Sequence, residues 1–343
     1  MKRTRLLVVL VSMVVVSCLQ AQDIHYSMFH MSPLTLNPAH TGAFRGTARI
    51  GGIYRGQWFT VPNSDGFETQ TIYLDAPIIR GFRKTDWVGV GMTNIGDNAG
   101  SARLKTSGSL ISVAYHLALG KDSKNVLTLG VQGGSFKRRV NLQRLIFEDQ
   151  LAVEVGGGGM NTTADNINEN SENFFDINAG LMLRSSLSDD AQLEAGLAFG
   201  HINQPNYSLG GDSGPDERKR PMRINAHGRL RYRVSDLWTI TPGFLWQTTG
   251  GATEFAVQSW AGYKLNDDYT LNGGLAYRFG DAAEVMAGLD YREDLRVTLS
   301  YDVNLSALNA ATNSVGGFEL SAFYILKLYK KPTVTPAILC PVF

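Results

Sequence analysis

The sequence predicts an all-β protein, a transmembrane antiparallel β-barrel of about fourteen strands, and three observations point there. The chain opens like an exported one, its hydropathy alternates with period two over segments of bilayer-spanning length, and its connections alternate between short and long. Lys2, Arg3 and Arg5 precede the apolar run from Leu6 to Val16, which is the layout of a secretory signal. At about eleven residues that run is too short to cross a bilayer as a helix. Two cleavage readings stand: after Ala21 in Leu19-Gln20-Ala21, or lipoprotein processing at Val15-Val16-Ser17-Cys18, which would leave Cys18 as a lipidated first residue. Either reading exports the chain, and the barrel pattern then places it in the bacterial outer membrane.

Composition supports the same class. Removing residues 1–21 takes away three positive charges and moves the formal net charge from +1 to about −2, so nothing steers the chain toward nucleic acid. Cleavage after Ala21 leaves Cys340 as the single cysteine, which excludes an intramolecular disulfide and a cysteine-type metal site. No Pro/Gly/Ser linker or charge block divides the mature chain, so one β domain is expected over 46–328. It follows an N-terminal segment, 22–45, that could fold into the lumen as a plug, and precedes a periplasmic tail, 329–343. The 37 glycines, 10% aromatics and 18% charged residues suit a barrel with many turns. After the signal no run of about 18 apolar residues occurs, so helical spans are not expected.

The period-two pattern is clearest in the second half of the chain. In 237–247, Trp238, Ile240, Phe244 and Trp246 share one face, opposed by Thr239, Thr241, Gly243 and Gln247. In 270–279, Leu271, Leu275, Tyr277 and Phe279 oppose Thr270, Asn272, Gly274 and Arg278, and in 295–303 Leu295, Val297, Leu299, Tyr301 and Val303 alternate with Arg296, Thr298, Ser300 and Asp302. A tilted strand of about ten residues spans a bilayer with an apolar lipid face and a polar lumen face. The same template gives strands near 46–58, 67–78, 86–94, 106–118, 125–137, 173–184 and 191–201. It continues near 223–234, 237–248, 254–264, 269–279, 283–291, 294–303 and 316–328, an even number as single-chain barrels require.

Short connections rich in turn formers fall at 121–125, 188–190, 235–236, 266–268 and 293–294, and longer ones at 94–105, 138–172, 201–222 and 304–315. With short turns in the periplasm and long loops outside, both termini are periplasmic. The loops at 138–172 and 202–222 are candidate docking surfaces outside, and the tail, with Lys330 and Lys331, is a candidate periplasmic contact. Tyr54, Trp58, Trp87, Trp238, Trp246 and Trp260 lie near strand ends and are expected in interfacial girdles.

Catalytic chemistry is not expected, and neither is a cofactor or a metal. "GVQGGSFK" and "VGGGGMNT" lack the spacing of a phosphate loop. The six histidines, at 25, 30, 40, 116, 201 and 227, show no close ligand spacing, and in "DNINEN" Ile167 occupies a position that a calcium loop gives to a ligand. Paired acids at 189–190 and 267–268 are explained by tight turns. Arg229, Arg231 and Arg233 alternate with Leu230, Tyr232 and Val234. An arginine facing lipid costs several kcal/mol, so this ladder is expected to line the lumen, pairing with carboxylates such as Glu194, Asp302 and Glu319 or selecting anions.

The mature start, "AQDIHYSMFHMSPLTLNPAHTGAF", resembles the opening of the PorP/SprF family, outer-membrane proteins of the type IX secretion and gliding apparatus. Gln22-Asp23 and Asn37-Pro38-Ala39-His40-Thr41-Gly42 carry it, followed by "YRGQW" at 54–58, "GLAYRFGD" at 274–281, "SYDVNLSAL" at 300–308, "GGFELSAFY" at 316–324 and "CPVF" at 340–343. Val342 departs from the family's usual Cys-Pro-Arg-Phe. The resemblance favours cleavage after Ala21. It implies a non-enzymatic accessory or anchor that meets outer-membrane lipid, a secreted adhesin or other cargo, and periplasmic secretion components. The motif positions Asn37, Pro38, Tyr54, Arg55, Gln57, Trp58, Cys340, Pro341 and Phe343 are the expected partner contacts. The "NPA" is also similar to the fatty-acid channel FadL, so a transporter of small hydrophobic molecules is the alternative.

Overall fold

A computed structural model describes residues 24–59, 65–80, 83, 85–100, 103–120, 124–141, 171–207, 219–292, 294–306, 312 and 314–328. Fourteen strands run β1 (Ala48–Gln57), β2 (Phe67–Arg80), β3 (Trp87–Ala99), β4 (Leu104–Leu119), β5 (Asn125–Arg139), β6 (Ser171–Ser186) and β7 (Ala191–Gly200). They continue through β8 (Arg223–Arg233), β9 (Trp238–Thr249), β10 (Ala252–Lys264), β11 (Tyr269–Arg278), β12 (Ala282–Tyr291), β13 (Leu295–Asn304) and β14 (Val315–Leu326). Each pairs antiparallel with its sequence neighbours and β14 closes on β1, so the sheet is a closed barrel without edges. Closure satisfies every ladder within the wall, which is the condition for strands to lie in lipid.

Alternation sets the two faces. On β13 Val297, Leu299 and Tyr301 are exposed outward, while Thr298, Ser300 and Asp302 are buried inward. β9 puts Trp238, Ile240, Phe244 and Trp246 outward, and β11 does the same with Leu271, Leu275 and Tyr277. Inside, the buried side chains are mostly polar or charged, including Asp75, His116, Arg184, Glu194, His227, Arg278 and Glu319. Greasy outside and polar inside is the membrane-barrel arrangement, the reverse of a soluble barrel. Among the described residues no helix is long and apolar enough to cross a membrane.

The girdle expectation needs correction at two positions. Trp87 is buried in the lumen, its ring stacked on His116 with centroids 4.5 Å apart, and Trp260 packs against the lumenal cluster of Tyr26, Met28, Met31, Ile53 and Met286. Parity decides both: Val88, Val90 and Met92 occupy the lipid face of β3, and Phe255 and Val257 that of β10, so each tryptophan falls on the other side. At the turn end the observed outer aromatics pair across strands, Trp238 with Tyr263 (4.8 Å) and Tyr269 with Tyr291 (5.1 Å).

A second correction concerns height. β3 continues to Ala99 and β4 begins at Leu104, so the long loop expected at 94–105 is a short turn. β2 to β6 have 13 to 16 residues each, whereas β7, β8 and β11 to β13 have 10 or 11. The wall is therefore tall on one side and low on the other. At the opposite end the turns are tight, with the Asn266 side chain accepting from the amides of Asp268 and Tyr269.

Candidate functional site: the plugged lumen

The barrel interior is occupied by its own N-terminal segment. Residues 24–45 coil across the lumen through short turns at Phe29–Met31, Pro33–Leu36 and Pro38–His40. Pro33 and Pro38 each open a turn, where a missing amide costs nothing, and the Asn37 side chain accepts from the amide of Ala39. Gly42 follows at φ +70, a left-handed turn that favours glycine. So short a segment cannot fold alone, and the wall supplies what it lacks.

The wall holds it in two ways. The first is hydrogen bonding. Glu319 on β14 accepts the amides of Ser27 (2.6 Å) and Met28 (2.8 Å), and Asp75 on β2 accepts that of Gly42 (2.7 Å). Arg184 donates to the carbonyl of Ala43 (2.8 Å), His116 Nε2 to that of Thr41 (2.8 Å) and Trp87 Nε1 to that of Gly42 (3.0 Å). Arg223 and Asn225 on β8 donate to the carbonyls of Thr35 and Leu36. A turn-rich segment with few internal partners has its backbone groups met by side chains from strands around the ring.

The second is shape. A Cβ added at Gly89 would overlap the Thr41 carbonyl, at Gly130 the backbone of Pro38 and Ala39, and at Gly180 the Asn37 side chain. These wall glycines form a seat for the "NPAHTG" turn. No bulkier residue leaves the plug its present place.

Two charged clusters flank the plug. In one, Arg55 pairs with Glu319 (2.6 Å) and Asp302 (2.8 Å), while Asp302 also meets Arg278 (3.3 Å) and accepts from Ser27 Oγ. In the other, Glu194 receives Arg229 (3.1 Å) and lies 3.7 Å from His40, whose ring stacks on His227 at 5.4 Å. Among the described residues, His40, Glu194 and His227 are the one set whose donor atoms lie close enough for a metal, all within 4.8 Å. Chemistry argues against an ion there. The Asn37 amide nitrogen can only donate, so at 3.1 Å it makes His227 Nε2 an acceptor and leaves the proton on Nδ1. A metal would have to break that hydrogen bond.

The residues singled out in the sequence fall in different places. Asn37, Pro38 and Arg55 are buried inside, committed to plug and wall contacts. Tyr54 points outward toward Glu68 (3.4 Å), while Trp58, just past β1, packs edge-on against Phe67 at 5.1 Å and Gln57 is half-buried. Arg229 and Arg231 lie on the inward face of β8, and Arg233 reaches the turn end, where it pairs with Asp190. Cys340, Pro341, Phe343, Lys330, Lys331 and residues 1–23 lie outside the described residues, as do most of the two candidate cargo loops. Arg184 and Asp75, which hold the plug from the wall, belong to no motif in the sequence, and His116 and His227 read there only as two of six scattered histidines. Their inward parity marks them as lumenal, but nothing local says what they touch.

A closed barrel, apolar outside, with a polar interior filled by its own N-terminal segment, defines an outer-membrane β-barrel protein. Residues 19–324 match the family described as the type IX secretion system membrane protein PorP/SprF, and the chain belongs to that family. Among solved structures, the Ralstonia pickettii toluene transporter TbuX shares the fold, with TM-score 0.51 and 11% identity over 88% of this chain and 94% of that one. The Pseudomonas putida toluene transporter TodX aligns at TM-score 0.48 and 12% identity over 86% of this chain and 93% of its own. A Pseudomonas aeruginosa FadL homologue aligns at 0.45 and 14% over 84% and 92%. No curated protein sequence matches.

Proposed function

We propose that this protein is a non-enzymatic accessory or anchor of the type IX secretion system, exported by its signal peptide and embedded in the outer membrane. Its outer loops receive a secreted adhesin or other cargo, and its periplasmic turns and tail meet the periplasmic part of the machine. The observation that carries this reading is the seated plug: a lumen crossed by the chain's own backbone, gripped by Glu319, Asp75, Arg184 and His116, suits a scaffold better than a conduit. Membership of the family supports the same role.

Deleting the gene and comparing surface proteomes tests it. Loss of one large secreted protein is expected for an accessory of narrow range, and general loss for a core component. An unchanged surface proteome would sink the proposal.

One observation favours a second reading, transport of small hydrophobic molecules. Ile95, Leu110, Phe136 and Phe174 form an apolar patch on the inner wall toward the long-loop end, against which Ile24 and Tyr207 pack. An apolar pocket lined this way could hold an aromatic hydrocarbon once Ile24 withdraws. Uptake of toluene by cells expressing the wild type, and its loss on Phe136→Asp, would favour that reading.

A further inference from the structure

The outward face of the tall side carries an arrangement that neither reading uses. On β3, β4 and β5 the lipid face is apolar through Met92, Ile111 and Val131. Above it, toward the long-loop end, comes a row of small polar residues in which Asn94 pairs with Ser109 and Ser109 with Ser135. Higher again, Ser107 pairs with Lys137, and Lys105 pairs with Arg139. Arg103 lies in the adjoining turn. Period two places Lys105, Lys137 and Arg139 on the lipid side of the wall, not in the lumen.

Three features single these cations out. Lys105 and Arg139 stand directly opposite each other on neighbouring strands, a like-charge pairing that destabilises a sheet unless an anion lies between them. None of the four makes a side-chain hydrogen bond or ion pair among the described residues. They also line one cleft of about 930 Å³, where the four cations outnumber two carboxylates: Glu68, which accepts from Tyr54 in the same cleft (3.4 Å), and Asp97, which accepts from Thr69 (2.7 Å).

Their height identifies the ligand. From Ile111 to Lys105 is six residues, roughly 20 Å along the strand, or about 15 Å along the membrane normal at a typical tilt. Lys137, level with Ser107, sits about 10 Å above the same boundary. That is the headgroup layer of the outer leaflet, above the hydrocarbon and beside the wall.

We infer that Arg103, Lys105, Lys137 and Arg139 form a binding site for the phosphate groups of a phosphorylated outer-leaflet glycolipid, which docks against the tall face of the barrel. The sugar-phosphate headgroup enters the cleft and its acyl chains lie along the apolar faces of β3 to β5. The site is independent of the proposed secretion role.

The test uses the full-length protein in detergent. Binding of bis-phosphorylated lipid A is measured by native mass spectrometry and by the shift in thermal unfolding. Dephosphorylated lipid A, inorganic phosphate and an acidic peptide are run as alternatives. Wild type is expected to bind lipid A with phosphates attached, and the R103Q/K105Q/K137Q/R139Q variant to bind at least tenfold more weakly. K264Q, at the opposite end, should bind like wild type. Equal binding by the fourfold variant would overturn the inference, as would equal binding of dephosphorylated lipid A. So would inorganic phosphate or the acidic peptide binding as tightly as lipid A. Should the fourfold variant fail to fold, K105Q alone decides: without glycolipid it should be at least as stable as wild type, because it removes the opposed charges, and with lipid A less stabilised. A K105Q protein that is destabilised without lipid and gains as much as wild type from lipid A overturns the inference equally.

Discussion

At the scale of single residues, the lumen depends on pairs that lose much when one partner goes. Glu319 accepts two plug amides and the guanidinium of Arg55. Glu319→Ala leaves that buried cation short of a partner, and removing one member of a buried pair costs about 3–5 kcal/mol. A lowered unfolding temperature in detergent, read by heat-modifiable gel migration, is the expected result. The glycine seat makes a sharper prediction. Gly130→Val should unseat the plug and raise single-channel conductance in planar bilayers while the strand content by circular dichroism stays the same. Gly273→Ala, where an added Cβ meets nothing within 4 Å, should change neither. Little of this was legible beforehand. Arg55 was marked by its motif and Arg229 by its alternation, but Arg184 and His116 act on Ala43 and Thr41 more than 70 residues away in sequence. Period two says which way a side chain points, not what it will find there.

At the scale of elements the sequence was far more informative, because a membrane strand must repeat one rule along its whole length. Every expected strand has its observed counterpart, and the ends differ by a few residues. β3 differs most: the polar outward residues Asn94, Gly96 and Asn98 rise above the apolar band, so a template tuned to lipid stops where the strand does not. Trp87 and Trp260 lie near strand ends, yet strand parity, which puts each on the inward face, decides their place over height. Two expectations belong here. Leu299→Arg, in the lipid-facing row of β13, should destabilise the folded barrel by about 2–4 kcal/mol, the cost of a cation near mid-membrane, measured by urea unfolding in lipid vesicles. Deleting residues 22–45 from the mature chain should leave a strand-rich barrel with a markedly higher conductance than wild type. A deletion protein as silent as wild type would show that something besides the plug closes the lumen.

On the scale of the whole molecule, the barrel is lopsided. Its tall wall, β2 to β6, rises past the apolar band, and its low wall ends close to it. Composition could not reveal this asymmetry, since strand length was read from apolar residues and the added height is polar. Pairing of β14 with β1 brings together the two ends of the barrel chain, and Glu319, four residues into the last strand's span, grips Ser27 and Met28. The final strand thus completes its contacts only around a leader that is already inside. Assembly gains from the leader's early arrival: a barrel that seals before it is threaded keeps the Arg55 pairing of Glu319 but leaves that carboxylate without the two amides of Ser27 and Met28. The seam that closes the wall is therefore also the place where the wall and its filling are fastened together.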